Sequence, residues 1–132
     1  MTSRIPTVAR ILLGLIFLLM GLNGFFMFLP QPKTPMSEGA IALFMAFVNT
    51  HYLLPLIAGT QVLVAVLLLA NRFVPLALAL IAPVIVNIIL FHVFLAPSGL
   101  PLGLVVLVLE VYLAWAYRTA FAPMLAQRVT PG

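Results

Sequence analysis

Residues 52–95 read YLLPLIAGTQVLVAVLLLANRFVPLALALIAPVIVNIILFHVFL and carry one formal charge, Arg72. A helix that crosses the hydrocarbon core of a bilayer needs about 20 apolar residues. The stretch holds two such runs, divided by the tight polar break Asn71-Arg72. Tyr52 to Ala70 is read as one span, with Pro55 in its first turn, where a missing N–H is tolerated. Phe73 to Leu95 is read as the next, and Pro83 near its middle removes one backbone bond and predicts a kink.

Ile11 to Leu29 is uncharged and follows Arg4 and Arg10. It is longer than the ~7–15-residue core of a signal peptide, and no small-x-small cleavage site follows, so a membrane span is expected. Pro30, Pro32 and Pro35 then break the helix. Thr34-Pro35 reads as a helix start, a hydroxyl cap followed by proline, with Glu38 placed to suit the helix dipole. Ile41 to Val48 is too short to span, and Asn49-Thr50-His51 ends it. The segment 35–48 is therefore a short interfacial or re-entrant helix, or else the start of a long helix running into the second span. Ala96 to Pro101 is a turn. Leu102 to about Phe121 is the last span, anchored at the interface by Tyr117, Arg118 and Phe121. Residues 122–132 form a short tail.

Composition supports this reading. The chain of 132 residues is 65% hydrophobic and 6% charged, against roughly 45–50% and about 25% for an ordinary soluble domain. That excludes a soluble monomer, and also a disordered chain, which needs low hydrophobicity and high charge. There is no cysteine, hence no disulfide, thiolate or iron–sulfur chemistry. The net charge of +4 comes from scattered residues with no basic stripe, so nucleic acid is not an expected partner. The expected fold is an all-α integral membrane protein, one domain over 1–132. Four transmembrane helices form a bundle at about 8–29, 52–70, 73–95 and 101–121, with the short helix at about 35–48 between the first two. Arg4, Arg10, Arg72, Arg118 and Arg128 then share one side, against Lys33 and Glu38 on the other. The positive-inside rule places both termini in the cytoplasm.

Polar side chains within a bilayer are expensive and each needs a reason. They are Asn23, Gln61, Asn87, His92 and Glu110. At about 1.5 Å rise per residue, all five fall between the bilayer middle and its outer surface, the depth agreement that a buried ligand- or proton-binding pocket requires. Glu110 has no Lys or Arg in its half of the membrane, so it must find amide donors or become neutral. It is expected to face the interior, in direct or water-bridged reach of Asn87, Gln61 or Asn23, and Glu110→Leu is expected to destabilise modestly. The alternative is that Glu110 and the amides only tie helices together. His92 and Glu110 lack the spacing of a metal site, and His51 reads as interfacial. Gly14, Gly21 and Gly24 form a small-residue stripe that favours close helix packing, whereas Gly99 and Gly103 match GxxxG only through a turn. Phe25, Phe26, Phe28, Phe91, Phe94, Tyr112 and Trp115 are candidates to line a quinone or lipid slot, or an interface belt.

The segment Arg10-Ile-Leu-Leu-Gly14-Leu-Ile-Phe-Leu-Leu-Met-Gly21 resembles the first helix of DoxX-like membrane proteins. Leu54-Pro55-Leu-Ile-Ala-Gly59-Thr-Gln61 is similar to their second span. Asn87-Ile-Ile-Leu-Phe-His92-Val-Phe-Leu-Ala-Pro97-Ser-Gly99-Leu-Pro101 resembles a subgroup with Asn-x4-His at the end of the third helix. The resemblance covers about residues 8 to 121. Many members carry Glu where this chain has Gln61, which leaves Glu110 as the sole buried acid. The resemblance implies a four-helix bacterial inner-membrane protein related to thiosulfate:quinone oxidoreductase, to oxidoreductase complexes under oxidative stress, and to quinone or catechol resistance. The leading expectation is a quinone-contacting or non-catalytic membrane subunit whose oxidoreductase partner supplies the redox chemistry. The chain has no intrinsic cofactor motif and no assigned catalytic residue. Alternatives are a small-molecule or proton-coupled carrier working as a homo-oligomer, and an assembly factor for other membrane proteins.

Overall fold

The computed structural model describes residues 4–28 and 36–132. Among these it contains helices and no strand: α1 (Ile5–Phe26), α2 (Glu38–Asn49), α3 (Leu53–Ala70), α4 (Val74–Phe94), α5 (Leu100–Ala116) and α6 (Arg118–Phe121), with single 3-10 turns at Pro97–Gly99 and Ala122–Leu125. Four helices are long and apolar enough to cross a membrane: Ile5–Phe26, Leu53–Ala70, Val74–Phe94 and Pro97–Ala116. At about 1.5 Å per residue, the 12 residues of α2 reach only about 18 Å, too short to cross.

Prolines begin three of the long helices. Pro6, Pro75 and Pro101 occupy first-turn positions of α1, α4 and α5, where backbone N–H groups have no helical partner to lose. The ends are set by left-handed residues. Met27 (φ 51°) closes α1 with its N–H on the Asn23 carbonyl, and Asn71 (φ 56°) closes α3. α1 thus stops before Leu29. α2 and α3 are separate helices, parted at His51 (φ 65°), so a single long helix through 35–70 is not formed. Ser37 caps α2 by accepting the Ala40 N–H at 3.1 Å. The expected start at Thr34-Pro35 lies outside the described residues. α5 ends at Ala116 and Arg118 begins the short α6. The Arg118 guanidinium donates to the Trp115 carbonyl at 2.9 Å and lies 4.5 Å from the centroid of its ring, adding a side-chain donor to a last-turn carbonyl that the Tyr117 N–H also reaches.

α1 packs along α3, α3 against α4, α4 against α5, and α5 returns to α1. Phe17 and Leu13 of α1, Val64 and Leu68 of α3, Leu78, Ile81 and Ile85 of α4, and Val106 and Leu113 of α5 are fully buried between them. The outward faces are apolar too: Leu12, Leu15, Leu63, Val66, Leu80, Val86, Val105, Val108 and Val111 are all exposed. A helix apolar on every side suits a lipid surround.

The tightest seam is α1 on α3, made by the small-residue stripe. A Cβ on Gly21 would stand 2.9 Å from the Val62 nitrogen and 3.0 Å from the Ala58 carbonyl oxygen, and one on Gly24 would stand 2.7 Å from the Ala58 Cβ. At the other end of the same pair, buried Arg10 donates through Nη1 to the carbonyl of Leu68 and, at 3.4 Å, to that of Leu69. These carbonyls belong to the last turn of α3, where helical donors run out and the dipole favours a cation. Arg10 therefore ties two helices together as well as counting toward the basic side of the chain.

Candidate functional site

A cavity of about 340 Å3 lies among α1, α2, α3 and α4, at the end of the helices where α2 sits. Its wall is mostly apolar, with Met20, Ile57, Val84, Ile88 and Phe91 from the long helices. Asn23 enters from α1, Gln61 from α3, and Asn87 and His92 from α4. The structure thus brings together four of the polar residues that the sequence places at one depth. A largely apolar space with a few convergent polar groups is the common form of a small-molecule site.

Each polar group is placed by its helix. Gln61 follows Ala58 on α3, on the face that receives the glycines of α1, and it is 7% exposed. Its amide makes no hydrogen bond to the protein. Asn87 is exposed toward the cavity, and Asn23 is half-buried. His92, half-buried near the end of α4, bonds through Nδ1 to the Ala96 carbonyl at 3.1 Å. Phe91 meets its ring edge to face at 5.3 Å between centroids.

Two glycines seat this ring. A Cβ on Gly99 would fall 2.3 Å from His92 Cε1, and one on Gly103 would fall 3.4 Å from its Cδ2. The turn can close over the imidazole only because Gly99 lacks a side chain, whereas a Cβ at Gly103 would make ordinary contact with the ring. Gly99 and Gly103, unremarkable in the sequence, are therefore part of the site.

α2 supplies the remaining wall. Leu43, Phe44 and Phe47 line the cavity and Ala40 is fully buried, so 40, 43, 44 and 47 form one helical stripe. The helix is fastened by the Ser37 hydroxyl, which donates to the Leu95 carbonyl at 2.7 Å, and by Gly39, where a Cβ would stand 2.7 Å from Leu95 Cδ2. Of the aromatic residues read as a slot lining or an interface belt, most do not line the cavity. Phe91 is in the wall, but Phe25, Phe26, Phe28, Phe94 and Trp115 are exposed, and Tyr112 packs toward the Trp115 ring at 6.2 Å. The cavity takes its other rings, Phe44 and Phe47, from α2.

Glu110 stands apart. It is buried on the α5 stripe Gly103, Val106, Glu110, Leu113, and α5 lines no part of the cavity because it packs on α4 and α1. Its Oε1 is sealed from solvent and has no hydrogen-bond partner. The burial is as expected; of the direct or water-bridged reach expected to Gln61, Asn87 or Asn23, no direct hydrogen bond is made. His51 is exposed at the α2–α3 junction, away from the cavity. Among the described residues no three His, Cys, Asp or Glu side chains group as metal ligands. No protein-family model matches the chain, and comparison with curated proteins and with solved structures finds no significant match.

Proposed function

We propose that the chain is a four-helix bundle of a bacterial inner membrane that binds a small, largely apolar ring compound of the quinone class, as a DoxX-like membrane subunit of an oxidoreductase or oxidative-stress system. The observation that carries the reading is the cavity of about 340 Å3 with Gln61, Asn87 and His92 in an apolar wall. Its size suits a one-ring ligand. Amides can donate to ring carbonyls, while the apolar wall accepts the ring. The chain contributes binding and orientation, and a partner protein supplies electron transfer.

The test is titration of the protein in lipid nanodiscs with a tetramethyl-substituted benzoquinone and its hydroquinone, followed by calorimetry. Saturable binding of at least one form is expected, weakened about tenfold or more by Leu43→Trp, which fills the space from α2. No binding of either form would remove this reading.

In the same reading the α2 end faces outward, with α2 lying in the interface or dipping into the bilayer, and both termini are cytoplasmic. The arginine distribution supports this orientation. A reporter fused after Gly132 is expected to be active only as a cytoplasmic reporter, and periplasmic activity would reverse the assignment.

One observation favours a second reading, a proton-coupled carrier acting as a homo-oligomer: the buried, unbonded carboxyl oxygen of Glu110. An ionisable group at membrane depth marks a functional position by default. Glu110-dependent flux in reconstituted vesicles would favour this reading over the first.

A further inference from the structure

We infer that His92 is a hydrogen-bond acceptor in the cavity and selects a hydroxyl-bearing ligand, so that the reduced, hydroquinone form of a ring compound binds in preference to the quinone. The inference rests on the cavity being a ligand site, as proposed above. It begins with the Ala96 carbonyl, which can only accept. The Nδ1 that meets it at 3.1 Å must therefore carry the ring proton. In the neutral imidazole the other nitrogen, Nε2, is then a bare lone pair.

That lone pair has no partner in the protein. Nδ1 makes the only hydrogen bond of this side chain. Nε2 is also not sealed off, since Glu110 Oε1 is the one side-chain nitrogen or oxygen of the non-exposed described residues that is both closed from solvent and unbonded; one flank of Nε2 lies against the turn, 3.2 Å from where a Gly99 Cβ would stand, and His92 lines the cavity. The ring cannot readily turn to offer a different edge. Gly99 and Gly103 hold it closely on one side, Phe91 meets it edge to face, and a flip would forfeit the bond to Ala96. Elsewhere in the same cavity wall, Gln61 brings a buried amide with no bond of its own.

The two groups together ask for a particular chemistry. An amide offers both N–H and C=O, so it accommodates either a carbonyl or a hydroxyl. Nε2 offers only a lone pair. A ligand hydroxyl satisfies it, whereas a quinone carbonyl leaves it unpaired or sets two lone pairs against each other. Sites that hydrogen-bond a hydroxyl discriminate against analogues lacking one because their own polar atom is then left unmet. His92 is only half-buried, so the discrimination is about tenfold rather than the much larger factor of a sealed site.

The experiment compares three probes on the full chain in nanodiscs at pH 8 without oxygen: tetramethylhydroquinone, tetramethylbenzoquinone and the dimethyl ether of the hydroquinone. The hydroquinone is expected to bind about tenfold more tightly than either of the others. His92→Phe is expected to bring the three affinities within about twofold. Histidine nitrogen resonances, assigned with His51→Gln, give a readout independent of any cavity variant: Nδ1 of His92 protonated and Nε2 bare. Equal or tighter binding of the quinone or the ether, or a protonated Nε2 in the unliganded protein, overturns the inference and leaves the cavity reading standing. Binding of none of the three overturns both.

Discussion

Gly21→Leu is expected to destabilise the folded protein by about 3 kcal/mol and to separate α1 from α3, the largest loss of any single substitution considered. The cause is backbone contact. The first atom of any side chain at Gly21 would stand 2.9 Å from the Val62 nitrogen and 3.0 Å from the Ala58 carbonyl oxygen. Neither can move without moving α3. Overpacking that forces side chains off their rotamers and shifts backbone costs about 1–3 kcal/mol, and a branched residue facing backbone lies at the upper end. In a bilayer, lipid tails are as apolar as leucine, so close van der Waals contact between helices is a principal attraction holding them together. A seam forced open loses it along its length. The α1–α3 seam also forms one side of the cavity, through Asn23 and Gly24 opposite Ala58 and Gln61, so ligand binding is expected to fall with stability. Leu19→Ala, on the exposed face of the same helix, is the control and should change stability by less than about 0.5 kcal/mol. Reversible unfolding in mixed micelles measures both. A Gly21→Leu protein as stable as the parent would mean that α1 and α3 do not meet at these residues.

Much of the helical layout is legible because the bilayer imposes length. Runs near 20 residues, broken by Asn71-Arg72 and by Ala96 to Pro101, can be little else. Close packing at Gly14, Gly21 and Gly24 is legible for the same kind of reason, since three small residues spaced along one helix serve a neighbour. Depth along each helix is legible too, which is why Asn23, Gln61, Asn87 and His92 could be grouped before their positions in space were known. Direction around each helix is not. The apolar residues of α3, α4 and α5 cover every side, so no periodicity marks an inner face, and Glu110 could be grouped with the cavity residues although it does not line the cavity. The stripe Ala40, Leu43, Phe44, Phe47 is visible in α2, but not what it covers. Gly99, Gly103 and Arg10 act through partners 7 to 59 residues away, and nothing local announces such contacts.

Glu110→Leu is expected to stabilise the protein by about 2 kcal/mol, opposite in sign to the modest loss expected from sequence. A carboxyl bonded to an amide at this depth would lose that bond on substitution. In the structure Oε1 is sealed and unbonded, and Glu110 makes no hydrogen bond or ion pair with any residue. Nothing is then lost with the carboxyl except a polar group whose unmet bonding costs about 1–3 kcal/mol. Leucine is close in volume and suits a stripe otherwise made of Gly103, Val106 and Leu113. Replacing buried polar groups by well-packed apolar ones of similar size is often neutral or stabilising by about 1–4 kcal/mol. Glu110→Gln is expected to gain nothing, because one amide atom would still occupy the sealed position of Oε1, where no protein group bonds it. Unfolding of the two variants in mixed micelles separates the cases: a less stable Leu variant would mean that the carboxyl has a partner after all. The result also bears on function. A carboxyl that weakens the fold and bonds to no residue would have no structural role, which would favour the proton-coupled reading. If the Leu variant is more stable and still binds ring compounds as the parent does, while flux in vesicles is absent from both, Glu110 serves neither the cavity nor a carrier.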